Sequence, residues 1–296
     1  MPSSLKLDVF NSGYKPIPSG SPVWPDGWQA TWPATTATLL SGDRDAVLVD
    51  SLLTKAESQR LADWLAGFGK QLTEVYITHA HADHFFGLNA VLQANPGAKA
   101  VALAEIVPFL QEQVTPAWMQ IWGSILPDPL FAHPAVPVAL EISELTVEGH
   151  VLIPVKVGQS DVSDSSVVHV PELDTVIAGD VIYNNIHPWM VQSDHRTRTA
   201  WIQTLNEVEK LHPATVIAGH ADPGAPDNDG PRLIDQTRQY IDDFDQAVAV
   251  SSSGGEVVSR ITAKYADLGN PYTLWLAAYT QSYGAASENT RGNGMT

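Results

Sequence analysis

The chain has 296 residues, with 33 Asp and Glu against 16 Lys and Arg, for a net charge of −17. Such a surface repels nucleic acid, where affinity rests on phosphate neutralisation, and it repels anionic membrane faces for the same reason. Cysteine is absent, which excludes disulfides and thiolate metal sites and leaves His, Asp, Glu and amide oxygen as the available metal donors. Residues 1–35, including SPVWPDGWQATWP, are rich in Pro, Gly and Trp and show no helical or alternating period. They predict an ordered loop laid over the body, with Trp24, Trp28 and Trp32 as anchors. AVLVDS (46–51) predicts a buried strand, and KAESQRLADWLAGFG (55–69) an amphipathic helix with Leu61, Leu65 and Phe68 on one face. EVYIT (74–78) is the next buried strand, followed by a short helix stopped at Pro96 and Gly97 and a strand at 99–103.

Residues 105–137 read as a mostly helical, lid-like insertion that ends in the proline-spaced loop LPDPLFAHPAVP. Strands resume at 150–157, 165–170 and 174–179; a helix at 197–211 leads into the strand 214–219, and another helix covers 231–249. The tail, 285–296, is expected to fray. Strand and helix alternate twice over, which implies α/β layers with strands buried on both faces, in a single domain over residues 1–296. No apolar run reaches the ~18–20 residues that span a bilayer. Lys6, Asp8 and Asn11 interrupt the start where a signal peptide needs an apolar core. The expectation is a soluble, cytoplasmic protein.

The stretch YITHAHADHFF crowds His79, His81, Asp83 and His84 behind an apolar strand. Imidazoles so placed gain nothing from core packing, whereas a divalent ion needs several nitrogen and oxygen donors at about 2.0–2.2 Å. The pentapeptide TVIAG occurs twice, followed once by Asp180 and once by His220. Three apolar strands are therefore expected to deliver His79, Asp180 and His220 at their carboxyl ends, the sheet edge where α/β proteins bind ligands. Glycine just before two of these side chains lets the backbone approach an ion closely. A surface metal-scavenging tract would explain the histidines alone, but not three strand ends that agree.

With these residues in place the chain resembles the metallo-β-lactamase superfamily of metallohydrolases. The superfamily's His-x-His-x-Asp-His motif is present as His79-Ala80-His81-Ala82-Asp83-His84, its metal-bridging aspartate corresponds to Asp180 in AGDVIY, and its last histidine to His220 in AGH. The resemblance implies an α+β, αββα four-layer sandwich: two facing mixed sheets with helices outside. It also implies one ion held by His79, His81 and a third ligand, and another by Asp83, His84 and His220, with Asp180 between them. Zn2+ is expected, as one or two ions, with Mn2+ or Fe2+ as alternatives. The family's third ligand is the histidine of a Gly-His-Ser or Gly-His-Thr sequence; this chain has Gly158-Gln159-Ser160. Gln159 can ligate through its amide oxygen, a neutral donor weaker than imidazole for zinc.

A zinc ion lowers the pKa of bound water from 15.7 to about 7 and polarises a carbonyl. The expected reaction is attack by metal-bound hydroxide on a lactone, lactam, ester or thioester carbonyl, with Asp83 orienting the nucleophile and carrying a proton. In the superfamily's lactonases a tyrosine stands where Tyr183 does, which implies a donor to the oxyanion; packing beneath the loop is the other reading. His187, on a loop leaving the strand of Asp180, is a candidate for the pocket. Trp118 and Trp122, one turn apart, are read first as core residues and second as pocket walls. Two other classes remain: an iron-dependent oxygen or sulfur enzyme of the same fold, and a metal-binding scaffold without catalysis. The expected partner is a small-molecule substrate, neither nucleic acid nor membrane, with no indication of oligomeric state.

Overall fold

A computed structural model describes residues 4–17, 30–126, 130–191 and 193–292, with side chains as far as Gln281. The chain opens with β1 (Lys6–Asn11), β2 (Lys15–Pro16), β3 (Thr31–Trp32), β4 (Thr36–Ser41) and β5 (Asp45–Val49). There follow α1 (Lys55–Ala66), β6 (Gln71–Tyr76), α2 (Ala82–Phe85), α3 (Leu88–Ala94), β7 (Lys99–Ala102), α4 (Val107–Gln113) and α5 (Pro116–Ile125). The second half carries β8 (Val138–Ala139), β9 (Leu145–Val147), β10 (His150–Gly158), β11 (Ser165–Val170) and β12 (Thr175–Asn184). It closes with α6 (His195–Glu209), β13 (Thr215–Ala221), α7 (Gly230–Val250), α8 (Gly254–Lys264) and α9 (Pro271–Gly292).

Two mixed sheets carry the fold, one in the order β1-β4-β5-β6-β7-β8 and the other β13-β12-β11-β10-β9. Alternate side chains of each strand serve opposite faces. Leu40, Val47, Val49 and Tyr76 of the first sheet meet Val168, Val170, Ile177 and Ile217 of the second in a central apolar layer. On the outer face of the first sheet, Leu39, Leu48 and Val75 pack with Leu61 and Leu65 of α1 and with Leu88 and Val91 of α3. On the outer face of the second, Val176 and Ala178 pack with Trp201 and Leu205 of α6 and with Leu233 and Ile241 of α7. The result is helix, sheet, sheet, helix: the αββα sandwich. Both faces of the inner strands are covered, so all six residues of β4 and all ten of β12 are buried. Each such Leu or Val stabilises the fold by about 1.5–3 kcal/mol relative to exposure.

Two segments differ from the sequence reading. The expected N-terminal loop contains β1, an edge strand that pairs antiparallel with β4 from Lys6↔Ser41 to Asn11↔Thr36. None of its residues is fully buried, so no alternation betrays it in the sequence. Trp32 is buried as an anchor, while Trp24 and Trp28 lie outside the described residues. At the other end, α9 runs through Gly292 where fraying was expected; Leu274, Ala277 and Ala278 seat it in the core beside α6 and α7. No helix among the described residues is long and apolar enough to cross a membrane.

Candidate metal centre

The site forms at one edge of the sandwich, where the segments after β6, β10 and β5 meet β12 and β13. Past β6 the chain bends at Thr78, whose backbone N–H donates to Asp50 Oδ1 at 3.0 Å. His79 follows, and His81 stands at the start of α2, which carries Asp83 and His84. Asp180 does not end its strand as expected. β12 continues to Asn184, and Asp180 falls in a stretch where the register against β13 shifts. Gly179 has φ +50° there, and a Cβ on it would stand 2.6 Å from Thr78 Oγ1; a Cβ on Gly219 would stand 2.4 Å from Asp180 Oδ1. Both glycines are needed for the approach of β12 and β13 to the histidines.

Two groups of donors result: His79, His81, Asp161 and Asp180 in one, and Asp83, His84 and His220 in the other, with the ligating atoms of each group within 4.8 Å of one another. Asp180 lies between them, with Oδ1 3.2 Å from His84 Nε2 and Oδ2 3.1 Å from His220 Nε2 and 3.8 Å from His79 Nε2. His81, 12 % exposed, is the least buried of the seven, and its Nδ1 stands 2.7 Å from Asp161 Oδ2. Asp161 was not anticipated. Ser160 Oγ donates to Asp161 Oδ1 at 2.8 Å and leaves Oδ2 facing His81. The amide Nε2 of Gln159, two residues before Asp161, donates to Ser160 O at 2.9 Å.

The far sides of the rings are held so that their lone pairs point inward. His84 Nδ1 donates to Asp50 Oδ2 at 2.8 Å and His220 Nδ1 to Ala34 O at 3.1 Å. His79 Nδ1 is 3.0 Å from Thr78 Oγ1, whose hydroxyl hydrogen goes to Asp50 at 2.9–3.1 Å, so the histidine is the donor in that pair. In each ring Nε2 is left as the acceptor that a metal requires. Asp50, in the left-handed region at φ +63°, thus orients two imidazoles, a role the sequence did not reveal. His79 Nε2, buried at the centre, has no hydrogen-bond partner, while Asp161 Oδ2 faces His81 Nδ1 at 2.7 Å and Asp180 Oδ1 faces His84 Nε2 at 3.2 Å. An unsatisfied buried polar atom costs about 1–3 kcal/mol. Buried imidazole and carboxylate donors crowded within 4.8 Å of one another fit a divalent cation.

Burial opposes a charge on His84, but Asp180 and Asp50 more than offset it and raise the ring well above 6.5. Burial lowers His79 to about 3, with His84 adding to the effect, so its ring is neutral at pH 7. Burial alone would lower His81 as well, but the Asp161 carboxylate outweighs it and raises the ring to about 9. Asp180 lies well below the usual carboxylate range: burial opposes its charge, and His220, His84 and His79 more than offset that. Tyr183 donates to Asp180 Oδ2 at 2.9 Å and accepts from the backbone N–H of Trp189, and its ring stacks on His220 with centroids 5.6 Å apart. Burial, with Asp180 beside it, keeps it a phenol by raising its pKa well above 10. Trp32 Nε1 donates to Asp83 Oδ2 at 2.9 Å.

A cavity of about 300 Å³ opens onto the centre, with His81, Asp83, Asp180 and His220 in its floor. Trp32, Trp118, Trp122 and Trp189 wall it. Trp118 and Trp122 therefore reach the cavity, and Trp122 is a core residue as well. His187 sits elsewhere: it is 2 % exposed, its Nδ1 is 2.8 Å from the Tyr240 hydroxyl, and it does not line this cavity.

Facing sheets, outer helices and two sets of imidazole and carboxylate donors at one edge define a metal-site protein of the αββα class. The sequence profile described as the metallo-beta-lactamase superfamily matches residues 30–220, and the chain belongs to that superfamily. No curated protein matches it in sequence. Among solved structures it is similar to a beta-lactamase domain protein from Burkholderia ambifaria (TM-score 0.62, 16% identity, 92% of this chain and 85% of that one). It is also similar to a metallo-beta-lactamase family protein from Thermus thermophilus (TM-score 0.58, 16% identity, 95% and 94%). A third is a metallo-beta-lactamase from Pseudomonas aeruginosa in a mono-zinc form (TM-score 0.53, 17% identity, 82% and 96%). At such identities the likeness establishes the fold alone.

Proposed function

We propose that the protein is a metal-dependent hydrolase of small cyclic esters or amides, or of related esters and thioesters, with zinc as the first choice of ion. The observation that carries this reading is the pair of adjoining groups of buried imidazole and carboxylate donors, the ligating atoms of each within 4.8 Å of one another. His79, His81, Asp161 and Asp180 would hold one ion, and Asp83, His84 and His220 the other, with Asp180 shared. Bound there, a divalent ion supplies Lewis acidity and lowers the pKa of water toward about 7. The protein's own groups do the rest. Asp83, with one oxygen fixed by the Trp32 N–H, faces the cavity and can take a proton from the nucleophile and hand it to the leaving group. Tyr183 aligns Asp180 rather than reaching for an oxyanion, since its hydroxyl already donates to that carboxylate. The tryptophan walls exclude water from the reacting carbonyl.

One observation favours a second reading. His79, His81 and Asp161 form a two-histidine, one-carboxylate set, the donor type of non-haem ferrous oxygenases. Elemental analysis of protein produced in metal-replete medium, with a panel of lactones, lactams and thioesters assayed before and after chelation, tests both. Hydrolysis that disappears with a chelator and returns with zinc or manganese is the expected result. Bound metal below stoichiometry together with chelator-resistant hydrolysis would sink the proposal. Iron-specific, oxygen-consuming turnover would replace it with the second reading.

A further inference from the structure

The walls of the cavity say what it admits. Trp32 lies 5.4 Å from Trp122 at 76° and 5.4 Å from Trp189 at 45°, an open corner of aromatic rings above the floor. The indole N–H of Trp32 is bonded to Asp83 and that of Trp122 to Gln113 Oε1 at 3.2 Å, so these two rings have no free donor to offer a ligand. Ile121, Ile125, Val162 and Leu276 complete an apolar lining. At about 300 Å³ the space is at the small end of ligand pockets, which suits a mono- or bicyclic compound.

Among the described residues the basic side chains lining the cavity are His81 and His220, and each faces a carboxylate, Asp161 at 2.7 Å and Asp180 at 3.1 Å. No Lys or Arg lines it among the described residues. The undescribed segments that adjoin it in sequence, 18–29, 127–129 and 192, contain no Lys or Arg either. Arg196 lines an adjoining depression that shares Gln113, Trp118 and Val162 with the cavity, but Glu112, Asp161 and Asp164 line that depression too. At the floor, Asp83 and Asp180 already set negative charge against whatever ion is bound. A substrate carboxylate lodged against the indoles would be desolvated without a partner, which is among the costliest arrangements in binding.

Resting on the hydrolase reading above, we propose that the substrate is an uncharged ester or lactone with an aromatic or fused-ring body, and that the cavity discriminates against compounds carrying a fixed carboxylate. The test uses matched pairs. Methyl 4-acetoxybenzoate and 4-acetoxybenzoate share the same scissile acetate and differ in one charge; their kcat/KM values are compared after division by the uncatalysed rates. Calorimetry with 1-tetralone and tetralin-1-carboxylate, neither of which hydrolyses, reads the same preference without turnover. The neutral member of each pair is favoured by roughly tenfold or more. Ile121, on α5, is 47% exposed and lines the cavity, so Ile121→Arg adds a cation without disturbing the core and should cut both ratios severalfold. Equal or better handling of the carboxylates by the wild type, or ratios unchanged in Ile121→Arg, would overturn the inference. Absence of hydrolysis of both acetates with the ketone still preferred would tell against the hydrolase reading alone, whereas a preferred carboxylate would overturn the inference whatever the hydrolysis.

Discussion

Asp161→Asn isolates the carboxylate that faces His81. Asparagine preserves the shape and can still accept from Ser160, but it removes the negative charge that faces His81. At an effective dielectric constant of about 20, a carboxylate about 3 Å from a divalent ion contributes about 11 kcal/mol gross. Taking the ion out of water to reach that carboxylate offsets about 5 kcal/mol of this. The proton that Asp161 holds on His81, at a pKa of about 9, must also leave when an ion binds, at about 2.7 kcal/mol at pH 7. The remainder, about 3 kcal/mol, is roughly a hundredfold in dissociation constant. Gln159→Ala, by contrast, removes a side chain bonded only to a neighbouring carbonyl and should change affinity by less than about twofold. Competition with a chromophoric chelator, with elemental analysis after dialysis, measures both variants, and circular dichroism checks the fold. An Asp161→Asn protein that holds its ions as tightly as wild type, beside a Gln159→Ala protein that loses one, would refute the reasoning and restore glutamine as the ligand.

Two further outcomes are expected. Tyr183→Phe releases Asp180 from its only tyrosine donor, so metal affinity should fall about 10–100-fold, as for other groups that orient ligands; a kcat loss of about 10²–10³-fold with full metal retention would instead make the hydroxyl a transition-state donor. His187 is neutral in the fold, its pKa lowered by burial from 6.5 to about 3. Below pH 6.5 the unfolded chain binds a proton that the folded one refuses, so stability is full above that pH and declines as pH falls toward 3. At pH 5 the loss is about 2 kcal/mol. Urea titrations at pH 7.5 and pH 5 should show His187→Asn losing less stability than wild type by about that amount, and identical losses would show that the buried ring is not the acid-sensitive group.

The donors that come from one short stretch of chain were legible from residue order alone. His79, His81, Asp83 and His84 lie within six positions, and no core would crowd imidazoles so. The repeated TVIAG marked Asp180 and His220, because strands buried on both faces are apolar throughout and a charged residue that interrupts one must have a partner. Even here one detail escaped: Asp180 sits at a register shift inside β12 rather than at its end.

What sequence left open were choices between near neighbours and contacts across the fold. Gln159 and Asp161 are two apart, the spacing that puts both on one side of an extended strand. Only the turn after Gly158, at φ +105°, and the Ser160 hydroxyl decide that the aspartate faces His81. His187 and Trp189 are likewise two apart on one loop, yet the first packs on Tyr240 and the second walls the cavity. Asp50 closes the strand AVLVD and carries no motif; it becomes the anchor of His84 and Thr78 because β5 and β6 run parallel and end together. Local pattern thus determined the α/β layering and six of the seven grouped donors, and the resemblance those donors carry implied the αββα sandwich. Packing between segments far apart in the chain determined the seventh and the aromatic cavity, since the free energy of those contacts exists only once both sheets are in place.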